Sequence, residues 1–94
     1  MVIASIEKLK STSSEDVKEI FIIGDINVSG LLDLSSYMNV TQIFISGTQI
    51  TNIKGLEFLH ELQLLFLGDN QLQEISNISH LSKLTHICLE KKSI

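Results

Sequence analysis

A step of 22 residues organises this chain. Leu59, Leu62, Leu65, Leu67 and Leu72 recur as Leu81, Leu84, Ile87, Leu89 and Ile94, and one step earlier as Tyr37, Val40, Ile43, Ile45 and Ile50. A further step back, Glu15 and Lys18 break the pattern, while Phe21, Ile23 and Val28 resume it, so the array begins near residue 17. Self-similarity at such a period marks a solenoid, because no single unit can bury its own apolar edge and the units must stack. The spacing inside LQLLFLGDNQLQEI, residues 62–75, fits neither strand alternation nor a helical return within one element. It makes sense as part of a coil.

Each coil combines two periods. The Leu-x-Leu pair alternates as a short strand does. The residues after it recur in threes: Val28, Leu31, Leu34, Tyr37, Val40; then Ile50, Ile53, Leu56, Leu59, Leu62; then Leu72, Ile75, Ile78, Leu81, Leu84. Spacing of three suits 3₁₀ turns and extended bends. The segments LHELQLLFLGDNQLQEISNI and LSKLTHICLEKKSI therefore resemble leucine-rich repeats of the 22-residue type, with the pattern LxxLxxLxLxxNxIxxI. The resemblance implies an α/β fold: a leucine-rich-repeat solenoid of about four repeats over residues 17–94, with parallel concave strands and 3₁₀ or irregular convex returns. Proteins of that repeat type include regulatory subunits of type-1 protein phosphatase, an axonemal dynein light chain and bacterial internalins, which bind rather than catalyse; the likeness implies a mode of action and names no partner.

That family carries an Asn after the strand that bonds the backbone of neighbouring turns. Here the 22-residue step puts Ile26, Thr48, Asn70 and Lys92 at this ladder position. Gly24, Gly47 and Gly68 follow the strands, where a tight bend calls for positive φ. Residues 1–16 are expected to cap the array, with Ile3, Ile6 and Leu9 on one side of a short helix. No cap is visible before Ile94, so the expectation is either that the final strand packs against a partner chain or that the array is incomplete and of low stability.

Strand alternation then separates core from surface. With Phe21/Ile23, Ile43/Ile45, Leu65/Leu67 and Ile87/Leu89 inward, three outward columns follow: Ile20, Gln42, Leu64, His86; Ile22, Phe44, Phe66, Cys88; and Gly24, Ser46, Gly68, Glu90. Contiguous apolar surface marks an interface. The partner-binding set expected on the concave sheet is Ile20, Ile22, Gln42, Phe44, Ser46, Leu64, Phe66, His86, Cys88 and Glu90. The bland alternative is cross-strand packing within the sheet. His86, Cys88 and Glu90 share a face of one strand but span about 14 Å, too far to converge on one metal ion. His60 and His80 fall outside the leucine pattern and are expected to face solvent on the convex side, while Asp25 and Asp69 read as turn polarity.

Composition narrows the function classes. Seven basic against eleven acidic residues give a net charge of -4, the wrong sign for a general phosphate-backbone binder. One cysteine rules out an internal disulfide framework and fits the cytoplasm. No export signal or apolar run long enough for a membrane span is visible, and the sequons at Asn27, Asn39 and Asn77 read as chance. Neither His60 nor His80 has an acid, Ser or Cys at triad spacing, so no enzyme and no cofactor are expected. The expectation is a non-catalytic interaction module for a protein partner, acting as a regulatory or adaptor subunit. Its rival is a self-associating structural repeat, through the uncapped last coil, or a fragment of a larger array.

Overall fold

β-Branched and aromatic runs such as Ile20–Ile23 favour extended backbone, but runs this short need neighbours to complete their hydrogen bonds. The computed structural model, which describes residues 2–75 and 78–89, supplies those neighbours by stacking coils into a parallel-stranded solenoid like that of leucine-rich repeats. Strands β1 (Val2–Ile3), β2 (Glu19–Ile23), β4 (Gln42–Ser46), β6 (Leu64–Phe66) and β8 (His86–Cys88) form one parallel sheet in that order. A second parallel sheet, β3 (Ser29–Asp33), β5 (Gln49–Lys54) and β7 (Glu74–Ile75), lines the other side. The core lies between them, with Ile43, Ile45 and Leu65 from the first sheet and Leu67 just beyond it against Ile50, Ile53, Leu56, Leu59 and Leu62.

The three-residue spacing of the returns holds in their second half. There the N–H of Tyr37, Leu59 and Leu81 bonds the carbonyl three residues back, at 3.1 Å in each coil, and Val40, Leu62 and Leu84 repeat the step at 3.2, 3.1 and 3.1 Å. Bonds from i to i−3 are the 3₁₀ signature. In the first half of each return the chain is instead extended and pairs laterally into the second sheet. That sheet has a register shift between Gly30 and Leu31, which leaves Leu31 61% exposed and buries Leu32. Leu31 is therefore not an inward residue, contrary to the spacing of three.

The first coil also corrects the 22-residue step. Ile20, Phe21 and Ile22 pair with Ile43, Phe44 and Ile45, a separation of 23, whereas Ile43 and Phe44 pair with Leu65 and Phe66, a separation of 22. Because side chains alternate, a slip of one residue exchanges the two faces of a strand. Ile20 and Ile22 are thus in the core, at 0% and 1% exposure, and Phe21 and Ile23 point outward. Burying two such side chains contributes about 1.5–3 kcal/mol each, but Phe21 and Ile23 would contribute as much, so the pairing with β4 and not burial alone sets the face.

The extra residue lies between Asp25 and Val28. Asp25 Oδ1 accepts from the Asn27 N–H at 3.1 Å, as Thr48 Oγ1 accepts from the Ile50 N–H at 3.2 Å, so Asp25 rather than Ile26 precedes Thr48 and Asn70 in the ladder. Lys92 is outside the described residues. The bend position just before the ladder has φ of 73° at Gly24, 70° at Gly47 and 60° at Asp69, so Asp69, not Gly68, completes that series. Asp tolerates this conformation better than most side chains. Deleting the exposed Ile26 converts the first coil to the 22-residue form; we expect urea denaturation to show a stability change within about 1 kcal/mol. A larger loss would place the extra residue elsewhere.

At the N-terminal end, α1 (Ile6–Ser11) begins at Ser5, whose Oγ accepts from the Lys8 N–H at 3.1 Å, and ends where Thr12 turns extended. It buries Leu9, whose carbonyl oxygen takes the Tyr37 hydroxyl at 3.4 Å. β1 adds an edge to the large sheet and puts Ile3 opposite Ile20. At the other end, Ile87 occupies the inward register of Leu65 and is nonetheless 53% exposed. No helix among the described residues is long and apolar enough to cross a membrane.

Candidate functional site

The open face of the five-stranded sheet carries the candidate site, and backbone bonds hold it in register. Just ahead of the strands, the N–H groups of Thr41, Gln63 and Thr85 bond the carbonyls of Lys18, Thr41 and Gln63 at 2.7, 2.7 and 2.9 Å. Behind the strands, Asn70 clamps the turns. Its Oδ1 accepts from the Thr48 N–H and hydroxyl at 3.2 and 2.6 Å, and its Nδ2 donates to the Ile45 and Leu67 carbonyls at 2.8 and 2.9 Å. Adjacent strands consequently present equivalent side chains side by side.

The result is a ladder of rings. Phe21 stacks on Phe44 with centroids 5.6 Å apart and planes within 5°, and Phe44 stacks on Phe66 at 4.2 Å and 3°. All three are half-buried. Cys88 continues the column at the register of Phe66, while Gln42, Leu64 and His86 form the next column, with Glu19 at its head. Between β6 and β8 a hollow of about 380 Å³ is lined by Phe44, Leu64, Phe66, His86 and Cys88. The Thr85 hydroxyl lies 2.9 Å from His86 Nδ1, at the rim of that hollow.

Among the expected site residues, Gln42, Phe44, Ser46, Leu64, Phe66, His86 and Cys88 share this face. Ile20 and Ile22 do not: the 23-residue first coil turns them into the core and substitutes Glu19 and Phe21. Ile23, in register with Ser46, takes the place assigned to Gly24. Glu90 lies outside the described residues. A signal for this correction was present, since Phe21–Phe44 and Gly24–Gly47 are both 23 residues apart.

Among the described residues, no three His, Cys, Asp or Glu side chains gather as a metal-binding group. On the return side of the solenoid, Glu61 Oε1 pairs with Lys83 Nζ at 2.7 Å; that hydrogen bond and the lysine charge hold the Glu61 carboxyl below its usual range. The pair is exposed, so its contribution to stability is small.

Comparison with known proteins yields a partial match. The chain is 29% identical over 68 residues to a protein of Arabidopsis thaliana described as "Protein phosphatase 1 regulatory inhibitor subunit PPP1R7 homolog". The match takes in 72% of this chain and 20% of that protein, so the chain spans about a fifth of the relative's length. No family model matches the chain. No solved structure matches it significantly.

Proposed function

We propose that this chain is a non-catalytic protein-interaction module, a regulatory or adaptor unit whose partner docks on the open sheet. The observation that carries the reading is the phenyl ladder, Phe21–Phe44–Phe66. Parallel sheets are normally covered on both faces. Here the outer face is half-exposed and its middle is aromatic, with Glu19, Gln42, Ser46 and His86 around it, the apolar centre and polar rim of a protein interface. The partial likeness to a protein named as a regulatory inhibitor subunit supports a regulatory role. In this reading residues 1–16 serve as a cap on 17–94, and the single exposed Cys88 suits the reducing cytoplasm.

The test is a double substitution. Phe44→Ala with Phe66→Ala should weaken capture of a protein phosphatase 1 catalytic subunit, or of whichever host protein the wild type retains, by at least about 100-fold, as expected for two aromatic anchors. Far-UV circular dichroism should stay unchanged. Equal capture by wild type and variant rejects the open face as the docking site.

A second reading has its own observation. Around the exposed Ile87, the residues Ile75, Ile78, Leu81, Leu84 and Leu89 line an open apolar hollow of about 510 Å³. That surface favours self-association, or a further coil of a longer array, over the sheet as the contact. Sedimentation velocity over a hundred-fold concentration range separates the two: a rising mass that Ile87→Glu abolishes supports this second reading.

A further inference from the structure

His60 and His80 meet on the return side of the solenoid, with ring centroids 5.9 Å apart and planes at 68°. They are neighbours because of the coil geometry. His60 directly follows the turn in which the Leu59 N–H bonds the Leu56 carbonyl, and His80 lies inside the equivalent turn of the next coil, closed by Leu81 N–H on the Ile78 carbonyl. Both are exposed.

The protonation of His80 can be read from its partner. Its Nε2 lies 2.9 Å from the Glu57 carbonyl oxygen, which can only accept, so Nε2 carries the hydrogen. In the neutral ring Nδ1 then keeps its lone pair. A histidine held by a backbone carbonyl through one nitrogen, with the other nitrogen open, is the usual arrangement of a metal ligand and its supporting group.

We propose that His60 and His80 form a two-histidine site for a divalent transition metal of the zinc type, clipping two successive coils together. Imidazole nitrogen suits such ions, whereas magnesium and calcium prefer oxygen. With zinc–nitrogen bonds of about 2.1 Å at the tetrahedral angle, two rings on one ion have centroids roughly 5.3 Å apart. The observed 5.9 Å is a small side-chain rotation away from that spacing. With His80 held by the Glu57 carbonyl, the exposed His60 can turn to close the difference. Water completes the coordination, because among the described residues no third His, Cys, Asp or Glu joins them. Neighbouring Glu61 is engaged by Lys83.

Calorimetric titration of the full chain with Zn²⁺ near neutral pH tests the site. One ion should bind per chain, and His60→Gln or His80→Gln should each weaken binding by at least about ten-fold. Zinc should raise the Tm of the wild type and not that of His60→Gln/His80→Gln. Because a ligating imidazole must be deprotonated, affinity should fall on acidification. His86→Gln/Cys88→Ser, which removes the other exposed nitrogen and sulfur ligands, should bind as wild type does. The proposal is overturned if the wild type binds no zinc, if His60→Gln/His80→Gln binds it unchanged, if binding vanishes with His86 and Cys88, or if zinc acts only by joining two molecules.

Discussion

Asn70→Leu should cost at least about 3 kcal/mol of folding free energy. Asn70 is 1% exposed, and Leu matches it in bulk while offering no hydrogen bond. The Thr48 N–H and the Ile45 and Leu67 carbonyls would each lose the bond that Asn70 makes to them. A buried group left unpaired costs about 1–3 kcal/mol, and a domain of this size has only about 5–14 kcal/mol in total. Urea denaturation followed by circular dichroism should show a midpoint shifted far down, or a chain already unfolded. Thr48→Val should lose less, about 1–2 kcal/mol, because it removes one hydroxyl from the same cluster. A loss below about 1 kcal/mol in Asn70→Leu would mean that the turns hold without their clamp.

Gly55→Ala should be comparably damaging, at about 3–5 kcal/mol. Gly55 has φ of 96°, and a Cβ there would sit 2.5 Å from the Ser35 backbone nitrogen and Cα in the preceding coil. Ser35 cannot easily retreat. Its N–H and hydroxyl both bond Asp33 Oδ1, at 3.0 and 2.7 Å, and those bonds hold the Asp33 carboxyl below its usual range. A carboxyl whose folded pKa is lowered contributes stability above its unfolded pKa and loses it as pH falls through the folded value, so acid should loosen this pin. Gly24→Ala is the control: its φ is 73° but nothing lies within 4 Å, so it should cost only about 1–2 kcal/mol of backbone strain. Similar losses in both variants would show that the close approach of the coils is unimportant.

The open face was legible in most of its members and wrong in its first strand. From β4 onward the period is constant, so alternation alone puts Phe44 and Phe66 outward and Ile43, Ile45, Leu65 and Leu67 inward. In β2 the run Ile20–Phe21–Ile22–Ile23 is apolar at every position, and composition does not say which face is which. One added residue in the turn after Asp25 then suffices to exchange Ile22 and Phe21. The Asn ladder shifted by the same slip, from Ile26 to Asp25.

The periodicity of the chain alone established a stacked array with an aliphatic interior, because units that cannot bury their own edges have to lie on one another. Three matters were left to the packing. The face of β2 follows from pairing Phe21 with Phe44 and burying Ile20 and Ile22. The second sheet follows from lateral hydrogen bonds, which a spacing of three does not reveal. The meeting of His60 with His80 arises from the stacking of turns 22 residues apart, which brings together two side chains 20 positions apart in the chain. Each depends on contacts between coils, whereas the repeat is written within every coil.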